Sequence, residues 1–130
     1  MESIFSKIVA GQIPAHKVAE TLEYLAFLDI NPLTEGHLLV IPKKEVDYLF
    51  DLDSETYAGL MMFAQIVAFG LKRAIPCERI GLTVIGLEVP HAHIHLIPMN
   101  TMDDMNFSRP KLKLSEERLT EIAEAIRVQL

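Results

Sequence analysis

Length, composition and charge narrow the class of protein first. The chain has 130 residues, 50% of them hydrophobic and 23% charged, and its formal net charge is −6. These values predict one globular domain over residues 1–130 with a buried core, and they exclude a disordered chain. An acidic chain without a long run of Lys or Arg argues against nucleic acid as a partner. A single cysteine, Cys77, and an N-terminus without an apolar run are typical of a cytoplasmic protein.

The first third of the chain predicts one short helix and three strands. An apolar stretch at residues 4–10 favours one or two helical turns. Strands are predicted at residues 17–20, 24–30 and 36–42. Asn31-Pro32 separates the last two strands, because this dipeptide favours a turn.

Residues 57–74 carry apolar side chains at helical spacing and predict a long helix. The uncharged run at residues 56–71 is shorter than the roughly 20 apolar residues that a membrane span needs, so no membrane partner is predicted. Apolar residues occupy nearly every side of this helix, and more than one surface must therefore cover it. A partner subunit is one hypothesis for that cover, and packing between the sheet and loops is the other.

The second half of the chain predicts two further strands and a final helix. The strands are predicted at residues 79–85 and 91–97, and an irregular loop follows at residues 100–113. Ser115 is the predicted N-cap of a C-terminal helix with an apolar stripe of Leu119, Ile122, Ile126 and Leu130. The fold class is therefore α+β, an antiparallel sheet of about five strands with two main helices.

Three of the five histidines occupy alternate positions, His91, His93 and His95. Alternate side chains of a strand lie on one face, so three imidazoles are predicted in a row, with the residues between them facing the core. Such a row suits buried hydrogen bonding, metal binding or phosphorus chemistry. The outer two Cα atoms lie roughly 13 Å apart on a strand, so one zinc bound by all three would demand a severe bend. Two of the histidines with a ligand from elsewhere remain a metal alternative.

Phosphorus chemistry suits the row best. A neutral imidazole nitrogen attacks phosphorus, while neighbouring imidazoles donate hydrogen bonds to the phosphoryl oxygens. His93 has a histidine on both sides and is the predicted nucleophile. Its attack gives a nucleotidyl- or phosphoryl-histidine that water then hydrolyses, which divides one displacement into two easier steps.

Residues 91–97, HAHIHLI, resemble the His-φ-His-φ-His-φ-φ signature of the histidine triad (HIT) superfamily, in which φ is an apolar residue. Residues 4–15, 25–30 and 36–43 also resemble segments of that family, in the same order along the chain, and the Hint-like branch is the most similar. The resemblance implies a HIT-like fold and a homodimer with a continuous sheet. It further implies binding of a purine nucleotide or nucleotide conjugate, with no cofactor.

The resemblance also implies a role for each matching residue. His93 is the implied nucleophile, and His91 and His95 would orient it and contact the α-phosphate. His37 falls where the family has a further active-site histidine, and Asp29 would hold the ribose hydroxyls as a double acceptor. The base pocket would be lined by four apolar residues, for which core packing is the alternative: Phe5, Ile8, Phe27 and Ile30.

Departures from the family pattern bear on the chemistry. Many relatives have Cys-x-x-Cys where this chain has Ser3 and Ser6, and the histidine expected after the third strand is replaced within residues 43–46, so no structural zinc is predicted. Leu87 replaces the glutamine that usually precedes the triad, and it cannot hydrogen-bond a leaving group. Glu88 is a candidate to protonate an amine leaving group or to position water, with a solvated loop carboxylate as the alternative. The loop before the triad is also short.

Three functions are consistent with these observations. The first is an enzyme that cleaves a nucleoside monophosphate, of the AMP type, from an amine, acyl or phosphate leaving group through nucleotidyl-His93. The second is a nucleotide-binding regulatory module of the same fold with little catalytic activity. The third is a metal-dependent hydrolase that uses His91 and His93.

Overall fold

The computed structural model describes residues 2–130 and contains, in this range, three α-helices and five β-strands. In chain order they are α1 (Ile4–Val9), β1 (Lys17–Glu20), β2 (Tyr24–Leu28), β3 (Leu38–Pro42), α2 (Ser54–Ala74), β4 (Arg79–Thr83), β5 (Ile94–Met99) and α3 (Glu116–Arg127). Short 3-10 turns lie at Leu49–Asp51 and Met102–Met105. The predicted α+β class is confirmed, and every predicted element lies close to its predicted position.

All five strands join one antiparallel sheet in the order β1-β2-β3-β5-β4. The turn before β3 depends on Gly36, whose φ of 93° disfavours any residue with a Cβ. An added Cβ there would also meet Ile75 Cγ1 at 2.9 Å. This glycine places His37 immediately before β3, next to the strand that carries the histidines.

The prediction of a strand over residues 91–97 is wrong at its start. β5 begins at Ile94, so only His95 of the three histidines lies on the strand. In the ladder with β3, His95 lies opposite Leu39. His91 therefore occupies a bent segment in front of the sheet.

Backbone hydrogen bonds explain this difference. The N–H groups of His91 and Ala92 donate to Val89 O and Val46 O, at 2.8 and 2.7 Å. Because buried backbone donors need one partner each, these bonds replace a ladder and bend the chain. His93 lies at the junction between the bend and β5.

Both faces of the sheet are covered, because strand side chains alternate between them. The face under α2 and α3 holds the larger apolar cluster, which includes Ala26, Leu28, Leu38, Val40, Ala92, Ile94 and Leu96. The opposite face holds a smaller cluster around α1, made of Phe5, Ile8, Leu25, Phe27, Leu39 and Ile41. Directly opposite residues share a face, so His95 faces the α1 side together with Leu39.

α2 begins at Ser54, before the predicted start at Tyr57, because Asp53 caps it by accepting a hydrogen bond from the backbone N–H of its first turn at 2.7 Å. One side of this helix stays uncovered in the single chain. Its exposed apolar side chains are Met62, Ile66 and Phe69, at 65, 60 and 56%. Within residues 2–130, no helix is long and apolar enough to cross a membrane.

The C-terminal third contains α3 and the irregular segment in front of it. Ser115 is the N-cap of α3, as predicted, and its Oγ accepts from Arg118 N at 3.0 Å. Three residues of the predicted stripe, Leu119, Ile122 and Ile126, are buried in the larger cluster. Leu130 lies beyond the helix and is half-exposed.

Candidate active site

His91 is completely buried, and both of its ring nitrogens have protein partners. Nε2 lies 2.8 Å from Pro42 O, and Nδ1 lies 2.7 Å from Ser3 Oγ. A carbonyl oxygen only accepts, so Nε2 carries a hydrogen. Burial lowers the pKa of His91, and the neutral ring has no second hydrogen, so Nδ1 accepts from the serine. The phosphate contact predicted for His91 therefore has no free ring nitrogen to make it.

His93 takes its orientation from the main chain in front of it. Nδ1 lies 2.7 Å from His91 O and donates to that carbonyl. In the neutral ring, Nε2 then keeps its lone pair. The ring packs edge-on against Phe5 and His95, with centroid distances of 5.0 and 5.1 Å. This is the tautomer that attack through Nε2 requires.

His37 and His95 form a hydrogen-bonded pair of fixed polarity. Leu33 N donates to His37 Nδ1 at 3.0 Å, and His37 Nε2 lies 2.9 Å from His95 Nδ1. Because His37 Nδ1 accepts, its ring hydrogen lies on Nε2 and is donated to His95 Nδ1. The hydrogen of the neutral His95 ring is then on its own Nε2, available for a phosphoryl oxygen.

Burial keeps this pair of rings neutral. It lowers the pKa of His37 to about 3, and the charges of His95 and Lys111 add to the effect. Burial also lowers the pKa of His95 to about 4, with His93 contributing. Desolvation disfavours imidazolium, so at neutral pH both members of the pair are hydrogen-bonded imidazoles.

Asp29 lies at the end of the pair. Its Oδ2 is 3.6 Å from His37 Nε2, and its Oδ1 accepts from Asn31 N at 2.8 Å. Burial raises the pKa of Asp29, against the opposing effect of the Asn31 N–H. The carboxylate is fixed by that N–H and remains partly accessible, as an acceptor for ligand hydroxyls must be.

Asp29, His37 and His95 are also the residues that could hold a metal ion. Each offers one ligand atom, and the three atoms lie within 4.8 Å of one another. These are not the His91 and His93 of the metal hypothesis. The two imidazole nitrogens already share a hydrogen at 2.9 Å, so a metal would have to replace that hydrogen bond.

A cavity of about 150 Å³ opens beside α1. It brings together all four apolar residues of the predicted base pocket and the carboxylate that is predicted to hold the ribose hydroxyls. Those lining residues are Phe5, Ile8, Phe27, Asp29 and Ile30. Phe5 also touches the His93 ring, so the cavity and the histidines form one continuous site.

A larger cavity of about 550 Å³ is lined by His93 and by aromatic side chains that include Tyr48, Phe50 and Tyr57. Of the triad, only His93 borders it. Glu88 is exposed in the loop before His91 and lines neither cavity. The structure thus gathers every predicted site residue except Glu88.

Phe107 and Lys111 belong to the site although no sequence motif points to them. The Phe107 ring packs edge-on against His95 at 4.9 Å and against His37 at 6.0 Å. Lys111 Nζ donates to Phe107 O at 2.6 Å and lies 5.8 Å from the ring centroid. Arg109 anchors the segment by donating to Leu33 O at 2.7 Å. The Phe107 ring therefore covers the His37–His95 pair, and Arg109 and Lys111 hold the segment that carries it.

Residues 10–102 match the HIT domain family. The match covers more than half of the chain and includes the three histidines. The protein therefore belongs to the HIT family, and the family resemblance inferred from the sequence is confirmed at that level.

Similar proteins align over almost the whole chain. An uncharacterized HIT-like protein of Borreliella burgdorferi is 35% identical, with 99% of each chain covered. Adenosine 5'-monophosphoramidase hnt1 of Schizosaccharomyces pombe is 36% identical, with 97% of this chain and 96% of that protein covered. A crystal structure of a Hit-like protein involved in cell-cycle regulation from Bartonella henselae matches with a TM-score of 0.86 at 32% identity, covering 99% of this chain and 97% of that one.

Proposed function

We propose that this protein is a nucleotide hydrolase or transferase that cleaves a nucleoside monophosphate from an amine, acyl or phosphate leaving group through a covalent bond to His93. The tautomer of His93 carries the proposal, because donation from Nδ1 to His91 O leaves the Nε2 lone pair for attack. The 36% identity to a protein named adenosine 5'-monophosphoramidase supports this reaction class, with AMP as the nucleotide part.

The proposed reaction has two steps. First, His93 Nε2 forms a bond to the α-phosphorus while the bond to the leaving group breaks, and a leaving amine takes up a proton from solvent. Water then attacks the same phosphorus, the bond to Nε2 breaks, and the proton of the water passes to solvent. In both steps, the Nε2–H of His95 donates to a phosphoryl oxygen, where negative charge develops.

Nucleotide binding is the proposed role of the smaller cavity. Its apolar wall suits a planar base, and Phe5 joins that wall to His93. Asp29 stands at the edge of the cavity, next to His37, where its carboxylate would accept from the ribose hydroxyls. Glu88 is exposed and lines neither cavity, so in this proposal solvent supplies the proton and Glu88 is a solvated loop carboxylate.

Two other functions each have one observation in their favour. A binding module with little catalysis is favoured by Leu87, an 88% exposed side chain without hydrogen-bonding groups in the loop before the triad. A metal-dependent hydrolase is favoured by the convergence of Asp29, His37 and His95. The fixed polarity of the His37–His95 hydrogen bond argues for the metal-free reaction.

A fluorogenic adenosine phosphoramidate and intact-protein mass spectrometry test the proposal. We expect turnover and a trapped nucleotidyl adduct with the native protein. His93→Ala should abolish the adduct and lower kcat by about 10⁴-fold or more, as loss of a nucleophile does. The control is His16→Ala, because His16 pairs with Glu116 of α3 and takes no part in the triad.

The remaining outcomes separate the alternatives. Tight AMP binding without turnover or adduct would contradict the enzyme and support the binding module. Activity that a chelator removes and a divalent metal restores would support the metal-dependent hydrolase, and Asp29→Asn should then lower the metal affinity.

We also propose a homodimer with a continuous sheet. The exposed side of α2, with Ile66 and Phe69 at its centre, and the edge strand β4, with Leu82 exposed, supply an apolar surface and unpaired backbone for a second copy. Sedimentation velocity should show a dimer for the native chain and a monomer for Ile66→Glu. A monomeric native chain would contradict this proposal.

A further inference from the structure

Three side chains that take no part in the proposed reaction converge on His91. Ser3 Oγ lies 2.7 Å and Ser6 Oγ lies 3.5 Å from His91 Nδ1. Glu45 Oε1 accepts from Ser3 N at 2.7 Å and from Ser6 Oγ at 2.6 Å. Together Ser3, Ser6 and Glu45, here called the clasp, connect the start of α1 with the loop after β3 and with the histidines.

The chemistry of the clasp requires a hydroxyl at Ser3. The Nε2–H of His91 is occupied by Pro42 O, so Nδ1 must accept and the Ser3 hydroxyl must donate its hydrogen. The same Oγ accepts from Ser6 N at 3.0 Å as the N-cap of α1. Only a group that donates and accepts at once can satisfy both partners.

Glu45 completes the helix cap from a distant part of the chain. In a capping box, a side chain in the first helical turn accepts from the backbone N–H of the N-cap residue. Ser6 occupies that position in α1, and Glu45 accepts the Ser3 N–H instead. The hydroxyl of Ser6 and the N–H of Ser3 lower the pKa of Glu45 to about 2, so its carboxylate is ionised at neutral pH.

We propose that Ser3, Ser6 and Glu45 are positioning residues that fix the His91 ring and, through the His91 carbonyl, the tautomer of the nucleophile. The connection to the reaction is the 2.7 Å hydrogen bond from His93 Nδ1 to His91 O, and it rests on the proposed function of His93. Without the Ser3 bond, the His91 ring is anchored at Nε2 alone, so the backbone of His91 and its carbonyl can shift and His93 is free to carry its hydrogen on Nε2. The lone pair that attacks phosphorus is then lost from that nitrogen.

Burial of Ser3 and His91 favours a single arrangement of the hydrogen bonds between them. Ser3 is 5% exposed and His91 is not exposed at all, so bulk water has no access to His91 Nδ1 if the Ser3 hydroxyl is removed. Within residues 2–130, no buried side-chain N or O lacks a hydrogen-bond partner. Removal of the Ser3 hydroxyl leaves the Nδ1 lone pair of His91 with only the Ser6 hydroxyl nearby, at 3.5 Å and already donated to Glu45. The buried ring then has to reorient to regain a full hydrogen bond. In the sequence, Ser3 and Ser6 stand out only as the absence of zinc ligands; the structure gives them a function of their own.

The central experiment compares Ser3→Ala with Ser3→Thr, which keeps a hydroxyl, and with Ser115→Ala. Ser115 is a matched control, because its Oγ caps α3 with the same 3.0 Å hydrogen bond and does not contact a histidine. The readouts are the ¹⁵N chemical shifts of the histidine rings, which identify the tautomer without substrate, and kcat and KM for the fluorogenic adenosine phosphoramidate.

For Ser3→Ala we expect altered ring shifts of His91 and His93 and a fall in kcat of about ten- to hundred-fold with little change in KM, as small displacements of a reacting group produce. Ser3→Thr should restore both readouts, and Ser115→Ala should change neither. Native ring shifts and a native kcat in Ser3→Ala would overturn the proposal. Because the ring shifts need no substrate, they test the clasp even if the native protein shows no turnover.

Glu45→Ala provides a second variant, since Glu45 is on the surface and its loss leaves the core intact. It should give a smaller fall in kcat than Ser3→Ala. The double variant should be no slower than Ser3→Ala alone, because both residues act through His91. Additive losses, or an unchanged kcat in Glu45→Ala, would remove Glu45 from the clasp.

Discussion

The two sides of His93 are built by opposite means. On one side, His91 is held by the Pro42 carbonyl and the Ser3 hydroxyl, and the backbone N–H of Ser3 donates in turn to the Glu45 carboxylate. On the other side, His95 is held by a second imidazole, His37, under an aromatic ring. Both sides determine where the ring hydrogens lie, but only the second does so with a further imidazole, which is neutral because burial lowers its pKa.

The first side thus fixes the positions of the ring hydrogens by hydrogen bonding, and the second side depends on the charge state of its two rings. Hydrogen bonds from fixed partners set the tautomer of His91 and His93, since Pro42 O cannot donate at any pH. The neutral state of the His37–His95 pair depends instead on the exclusion of water, because desolvation is the main cause of both lowered pKa values. The first side should therefore respond to loss of a hydrogen bond, and the second to acid and to loss of its cover.

The largest expected effect is acid destabilisation through the His37–His95 pair. Below pH 6.5 the unfolded rings bind protons, while the folded rings bind them only near their pKa values of about 3 and about 4. Stability from this pair is therefore fully present above pH 6.5 and is lost as the pH falls through the window between 6.5 and those values. Each ring should lower the unfolding free energy by about 1.4 kcal/mol per pH unit in that window.

Urea denaturation at several pH values checks this prediction. Asp29, His93 and Lys111 also face the pair, and both the native protein and the variant described next keep all three. His95→Gln keeps an acceptor for His37 Nε2–H and removes one titrating ring, so it should reduce the slope of stability against pH. A native protein that gains stability on acidification would contradict the neutral pair.

The next effect concerns the cover of the pair. Phe107→Ala should lower the unfolding free energy by about 2 kcal/mol, because a half-buried aromatic ring and two edge-on contacts are lost. Water then reaches His95, its pKa rises toward the ordinary value of 6.5, and the acid limb of kcat/KM moves to higher pH. Phe107→Leu keeps an apolar cover and should retain most of the native profile. An unmoved acid limb in Phe107→Ala would show that Phe107 does not shield the pair.

The smallest expected effect is electrostatic. The Lys111 ammonium lies against Phe107, where it would face an anionic nucleotide bound beside His95. Lys111→Gln should weaken AMP binding about two- to five-fold, the effect of one partly solvated charge. Lys113→Gln is the matched control, since it removes an exposed charge from the same segment. Calorimetric titration measures both, and equal effects of the two variants would assign the loss to net charge alone.

The positions of the elements could be predicted from local sequence. Short apolar runs ended by turn residues predicted the strands, and Ser115 predicted the start of α3, because these signals depend on neighbours in the chain. The start of β5 could not be predicted. The alternation of histidine and apolar residues continues from Ile94 back to His91, but the backbone there pairs with Val46 and Val89 instead of a strand.

The sequence by itself determined the family, the class of chemistry to propose and the central position of His93, because these depend on residue types at fixed spacing. It also predicted five of the eleven residues that line the smaller cavity. Only the tertiary structure decided which nitrogen of each imidazole carries the hydrogen. That choice depends on partners far away in the chain, namely Ser3 and Pro42 for His91 and His37 for His95, and the nearby Leu33 N–H sets the hydrogen of His37. An imidazole has the same composition in either tautomer, and its surroundings select between them.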